Sequence, residues 1–325
     1  MAEIKLDGGP GVTSTIYDAR SMKDAVSNCL VDLGRRYPNM VCVTPDVATS
    51  ARTKQFEDEF PERFFNVGIA EQEATSLSAG LAHEGFIPFL FEFASFASMR
   101  ACEQVRTNIC YSNLPVRIIS SNAGYSMGAA GATHCGLEDT GIMCSIANMS
   151  VIEPGAPYLI ARVLEASMHW DGPIYLRLGR EASGALYGDD VKFEIGKALT
   201  PKDCGDGAFI ACGIVVHHAL EAAKLVKERT GADIRVVAMH TIKPIDREAV
   251  VSAAKTGRIV CAQDGNIIGG LGYQVAAVLA EEGIGCKFKM LGAPDEFVPI
   301  ATPDFLFHRN EYDAEGLAKN MIAML

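Results

Sequence analysis

Three sets of side chains in this 325-residue sequence stand where they could do chemistry. In RFFNVGIAEQE, residues 63–73, a short apolar run ends at Gly68, and an acid, Glu71, follows where helical spacing begins. A carboxylate in a first turn is favoured by the helix macrodipole, so one reading is a solvated helix-end acid. The other is a functional acid, because ligands of parallel α/β sheets collect at the carboxyl ends of strands. His134 lies in SNAGYSMGAAGATHCG, residues 121–136, a stretch too rich in glycine for an element and too long for a simple connection. Its ring titrates near neutrality, so it could move protons or be incidental. Glu138 could orient that ring or face solvent, and the pair makes a poor metal site because no second ligand sits at helical spacing with the histidine. In FLFEFASFASMRACEQV, residues 89–105, the aromatic rings could be core or a surface for a flat ligand.

Those residues need elements to hold them. Ser21 can cap a helix carrying Met22, Ala25, Val26, Cys29, Leu30 and Leu33 on one face, and NMVCVTPD then reads as a strand ending in a loop. The step repeats, with strands at 63–67, 86–92, 115–120, 149–153 and 174–178 and helices at 71–84, 96–111, 137–147 and 157–169. Nearly continuous apolar strands alternating with amphipathic helices predict a mostly parallel sheet covered on both faces. Polar, glycine-bearing sequence follows, and beyond it come strands at 208–212, 233–239, 258–262 and 286–290 and helices at 217–230, 246–254, 270–282 and 313–324. The expectation is two doubly wound α/β domains: an extension over 1–20, a domain over 21–183, a linker over 184–206 and a smaller domain over 207–325.

With 49% hydrophobic and 21% charged residues the chain is globular in composition, and a net charge of -11 argues against a phosphate-backbone partner. No apolar stretch approaches the roughly 20 residues that span a bilayer, and MAEIKLDGGPG lacks the basic start and apolar core of a signal peptide. A cytoplasmic location is expected. The ten cysteines are scattered with no C-x-x-C pair and read as reduced thiols.

RFFNVGIAEQEATSLSAGLAHEG, GAAGATHCGLED, NMSVIEPG and DGNIIGGLG, in this order and at these separations, resemble the pyrimidine-binding and C-terminal domains of the transketolase family of thiamine-diphosphate enzymes. The likeness runs over nearly the whole chain. It implies that Glu71 hydrogen-bonds N1′ of the cofactor's aminopyrimidine and, by sharing a proton, favours the imino tautomer whose 4′ nitrogen deprotonates thiazolium C2. A carboxyl with raised proton affinity, buried between apolar walls, would serve that task. It implies further that Phe93 and Phe96 present rings to the pyrimidine, with Leu90 where another aromatic is expected. Asp46 would line the cofactor pocket or cap its loop, and His134 would lie beside the reacting carbonyl. Ser50 and Arg180 match positions that hold a sugar phosphate.

The sequence also departs from the family pattern. Ala129 and Ala130 stand where an acid contacts a sugar hydroxyl, and Asn122 replaces a histidine at the start of the loop. A pocket that loses hydroxyl partners loses discrimination for that hydroxyl, so an unusual sugar is expected. Gly205-Asp206-Gly207 superficially fits a diphosphate motif, but no paired asparagines follow, and GGLG at 269–272 reads as a structural turn. No metal ligand is therefore expected in this chain.

The resemblance implies the C-terminal subunit of a split transketolase, moving a two-carbon ketol unit from a ketose to an aldose. A separate N-terminal subunit would supply the ligands of the diphosphate and Mg²⁺, in a heterotetramer or around a homodimer of this chain. The alternatives are a deoxyxylulose-phosphate-synthase-like enzyme, the β-subunit of a 2-oxo acid dehydrogenase, and a non-catalytic partner subunit.

Overall fold

The computed structural model describes residues 21–179, 186 and 191–325. The first helix, Met22–Arg36, opens as its sequence dictates, with the Ser21 hydroxyl accepting from the Asp24 N–H at 3.2 Å and Ala25, Val26, Cys29, Leu30 and Leu33 buried. Strands β1 (Met40–Thr44), β2 (Phe64–Asn66), β3 (Ile87–Phe93), β4 (Arg117–Ser121), β5 (Ser150–Ile152) and β6 (Ile174–Arg177) build the first sheet. Strands β7 (Leu199–Lys202), β8 (Gly207–Ala211), β9 (Ile234–Ala238), β10 (Thr241–Lys243), β11 (Arg258–Asn266) and β12 (Lys287–Ala293) follow. MVCVT of β1 and GAFIA of β8 are buried along their whole length, as strands covered by helices on both faces must be.

Two sheets result, ordered β10-β5-β6-β4-β3-β1-β2 and β12-β11-β8-β9-β7. All pairings are parallel except those of the edge strands β10 and β7. The fold is α/β with two wound domains, but several features differ from the sequence expectation. β7 lies inside the stretch read as a linker and closes the second sheet against β9. β10 leaves the second domain to complete the first sheet, pairing Thr241 with Ile152 and Lys243 with Val151. The Lys243 ammonium then donates to the carbonyls of Cys144 and Ile146, at the end of helix Asp139–Ser145.

The third difference is the expected helix over 96–111. It is wound wide, as π turns, over Phe96–Arg100 and Val105–Cys110, with a short α-helical piece at Cys102–Gln104 between them. Such turns often mark functional places. A helix at Pro303–Arg309, with proline in its first turn, was not anticipated either. The ten cysteines are free thiols. Among the described residues no helix is long and apolar enough to cross a membrane.

Candidate active site

Glu71 is the first residue of helix Glu71–His83, which starts directly after Gly68 turns the chain at φ +75°, with no side-chain cap at Ala70. The buried face of that helix is Ala74, Thr75, Ser78, Ala79 and Ala82, small residues that bring it close against β3. Glu71 is thereby drawn inward and is only 5% exposed. Its surroundings are not the apolar walls expected from sequence, because the Arg100 guanidinium, delivered by the first wide turn, donates to Glu71 Oε1 at 2.8 Å. Arg100 also lies over the Phe96 ring, 4.7 Å from its centroid, with half of its side chain in solvent.

From that ring the cluster continues. Phe93 and Phe96, both half-buried, tilt against one another at 5.8 Å, and His134 stands 5.6 Å from Phe96 and 6.4 Å from Phe93. Four residues singled out in the sequence, from three chain segments, therefore meet at the carboxyl ends of β2, β3 and the loop after β4. The His134 Nδ1 is 2.9 Å from the Thr133 hydroxyl, so Thr133 rather than Glu138 orients the ring. The loop reaches the aromatic pair through Gly136. A Cβ built there would stand 2.4 Å from the Ala94 methyl, a separation only glycine avoids. Leu90 is fully buried within β3 and belongs to the core rather than the cluster.

A second group forms nearby from residues that sequence reasoning connected only in part. Asn122, buried and with φ +63°, accepts through Oδ1 from Lys23 Nζ at 3.2 Å, and the same ammonium donates to the Ser50 carbonyl at 3.0 Å. Ser50 thus offers its backbone, while its side chain lies in an exposed segment. Lys23 is only 8% exposed and was not anticipated, because on a helix-wheel reading it falls outside the apolar stripe. Asp46, exposed and at φ +62°, accepts from the Asn66 side chain at 3.1 Å across the loop. Arg180 lies outside the described residues. Ala129 and Ala130 end an exposed turn and offer no side-chain polar group.

A narrow cleft with room for little more than one water molecule is bordered by Met22, Ala123, Glu153, Arg177, Ile214 and Asp264. Arg177 is fully buried there and donates to Asp139 at 2.8 Å, Glu153 at 2.7 Å, and the carbonyls of Gly136 and Asp264 at 2.8 and 2.7 Å. Those two carboxylates and that of Asp264 hold the guanidinium protonated against its desolvation. The Gln263 amide joins Thr140 and Glu153, and its oxygen accepts from the Leu271 N–H at 2.8 Å. GGLG therefore opens a helix whose N-terminus is already occupied. Asp206 of Gly-Asp-Gly accepts from the Asp233 N–H at 2.8 Å, spending its carboxylate in a turn. Among the described residues no group of three or more His, Cys, Asp or Glu side chains could hold a metal ion.

Known proteins resemble this chain over most of its length. The family model described as "Transketolase, pyrimidine binding domain" matches residues 18–184, and "Transketolase, C-terminal domain" matches residues 196–316. One of the subunits of the apulose-4-phosphate transketolase of Phocaeicola vulgatus is 34% identical over 92% of this chain and 96% of its own. A 6-deoxy-6-sulfo-D-fructose transketolase subunit of Clostridium sp. is 34% identical over 88% of each chain. A solved structure described as a split gene transketolase, inactive beta4 tetramer, superposes with a TM-score of 0.84 at 36% identity, covering 94% of this chain and 98% of that one.

Proposed function

The chain belongs to the transketolase family, carrying its pyrimidine-binding and C-terminal domains, and from that premise we propose that it works as the C-terminal subunit of a two-part enzyme that moves a two-carbon ketol unit between sugars. The observation that carries the reading is the convergence of Glu71, Phe93, Phe96 and His134 on one surface. Arg100 supplies the test of fit for thiamine diphosphate. It is a flat, nitrogen-bearing cation that pairs with the Glu71 carboxylate and covers the Phe96 face, and an aminopyrimidine would make the same two kinds of contact. When bound, the cofactor supplies the electron sink for cleavage beside a carbonyl.

The roles of this chain's own residues follow from their positions. Glu71 would hold the ring nitrogen and share a proton with it, which would require Arg100 to swing away on its half-exposed side chain. Phe93 and Phe96 would hold the ring and keep water from it. His134, oriented by Thr133, stands beside them to hold or move a proton at the substrate's oxygen. Lys23, with Asn122 and Ser50, puts a buried cation where a phosphate or sulfonate group would end. Arg180 would join it there. Ala129 and Ala130 leave the sugar end without a carboxylate, and the two relatives above are named for apulose 4-phosphate and 6-deoxy-6-sulfo-D-fructose, so a branched or sulfonated donor is favoured. Because Asp206 is engaged with Asp233, the diphosphate and Mg²⁺ are assigned to a separate N-terminal subunit. A covering subunit also suits Ile69, 79% exposed, and Met99, 48% exposed, which flank Glu71 and Arg100 in the chain.

The test is reconstitution of the chain with its co-purifying subunit, followed by a screen of ketose donors. Ketol transfer from a branched or sulfonated ketose at higher kcat/KM than from xylulose 5-phosphate is expected. Decarboxylation of pyruvate with no ketol transfer would reassign the chain to the synthase or dehydrogenase alternatives.

A further inference from the structure

The loop that carries His134 is closed at its neck. There the Gly124 N–H donates to the Gly136 carbonyl at 2.8 Å, and Ala123 pairs with Gly136 in a single parallel bridge. Arg177 reaches the Gly136 side of this neck, whereas the other side is held by Asp264, which has no role in the reaction as proposed above. Asp264 belongs to β11 of the second domain, is 3% exposed, and accepts the Tyr125 N–H through both carboxylate oxygens, at 3.1 and 3.0 Å. The Tyr312 hydroxyl donates to the same carboxylate at 3.1 Å. Gly124 makes this approach possible: it sits at φ +60°, and a Cβ built on it would overlap the Asp264 carboxylate. The Tyr125 ring is buried, stacks on Tyr312 at 5.9 Å, and accepts from the Asn310 amide at 2.8 Å through its hydroxyl. Two further backbone bonds tie the loop to the second domain. The Gly128 carbonyl accepts from the Ala301 N–H at 3.3 Å, and the Leu137 carbonyl accepts from the Asn266 N–H at 2.9 Å.

We propose that Asp264 is a positioning residue for His134: from the second domain it fixes the neck of the loop, and through the loop it holds the histidine against Phe93 and Phe96. The physical reason is that the loop has little stiffness of its own, with glycine at 124, 128, 131 and 136. Its register must come from outside. A carboxylate that takes a backbone N–H in a buried place supplies a charge-assisted bond for which no water competes. The rings of Tyr125 and Tyr312 then keep the chain from sliding past that bond. Asp264 acts on His134 through the backbone and not by contact with the reacting atoms. That His134 serves the substrate's oxygen rests on the function proposed above; the hold of Asp264 on the loop does not.

Two measurements on the purified full chain, with no cofactor added, test the hold separately from that function. In the wild type the Tyr125 amide should exchange hydrogen for deuterium as slowly as β11, and exchange at the rate of an exposed loop would overturn the proposal whether or not any variant folds. Asp264→Asn keeps the shape but turns one of the two accepting oxygens into a donor facing a donor. In that variant the Tyr125 amide should exchange about tenfold faster relative to the amides of β8 and β9. The ring signal of His134, followed by NMR of histidine-labelled chain and assigned by its loss in His134→Gln, should move in Asp264→Asn. An unmoved ring signal, or exchange that rises equally in Tyr125, β8 and β9, would refute the positioning role. In the reconstituted enzyme Asp264→Asn should lower kcat/KM for the ketose donor by about 100-fold while C2 exchange of bound thiamine diphosphate stays within about twofold. Equal losses in both would assign Asp264 to the fold alone. Absence of ketol transfer in the wild type would sink the proposed function and leave the exchange and NMR results standing.

Discussion

Glu71 pairs with Arg100 while lying almost out of reach of solvent, which makes an isosteric replacement informative. Glu71→Gln keeps volume and some hydrogen bonding but cannot exchange a proton. Hydrogen–deuterium exchange at C2 of bound thiamine diphosphate should slow by about 10²–10⁴-fold, with subunit association unchanged. Equal exchange rates would return Glu71 to a helix-end carboxylate. Lys23 makes a second test. Its charge-assisted bonds suggest that Lys23→Gln raises KM for a phosphorylated or sulfonated donor by roughly 10–100-fold while an uncharged ketose is little affected, read by steady-state kinetics. A uniform loss on both donors would mean that Lys23 only holds the loop. Glu71 and His134 were legible in the sequence because each belongs to a motif with local spacing. Lys23 was not, since it looked like an ordinary polar helix position; its burial comes from segments distant in sequence.

At the scale of elements, the His134 loop owes its place to Gly136 against Ala94 and to the Arg177 bond on its carbonyl. Gly136→Ala should cost about 1–3 kcal/mol of stability by overpacking and lower kcat/KM by roughly 100-fold through displacement of the histidine. Thermal melts and kinetics on the same preparation check both. The connection between β9 and β10 carries His240, fully buried, whose carbonyl accepts from the Glu153 N–H at 2.7 Å. Burial pushes its imidazole down from 6.5 to about 4. Below the unfolded value the unfolded chain binds a proton that the folded chain refuses, so stability falls as pH drops from about 6.5 to about 4, by about 3 kcal/mol in all. Urea melts of wild type and His240→Gln should differ by this one-proton slope, and parallel slopes would exclude it. The long helices and buried strands could be read from periodicity, as the first helix shows. β10 could not, because a three-residue strand is defined by its partner in the other domain, and the wide turns could not, because apolar spacing near 3.6 does not distinguish π winding from α.

For the whole molecule, the decisive contacts are those that make two domains one body. Arg177 reaches acids of the first domain and the Asp264 carbonyl of the second while almost wholly buried. Arg177→Met should destabilise the chain by about 3–5 kcal/mol, since Asp139 and Glu153 are left buried without their cation; equilibrium unfolding in urea measures it. The chain alone should bind thiamine diphosphate with Mg²⁺ more weakly than about 1 µM, a free energy smaller in magnitude than about 8 kcal/mol. Submicromolar calorimetric binding would remove the need for a separate subunit. The strand that β10 lends to the first sheet bears on how the molecule opens. Edges usually fray first, exchanging their amides through small local motions. Here the edge of one sheet is anchored by residues that continue into the core of the other, through Met239 on one side and helix Arg247–Ala254 on the other. Amides of β5 and β10 should therefore trade hydrogen for deuterium at the pace of β9, all three released by one shared opening rather than by separate breathing of two halves.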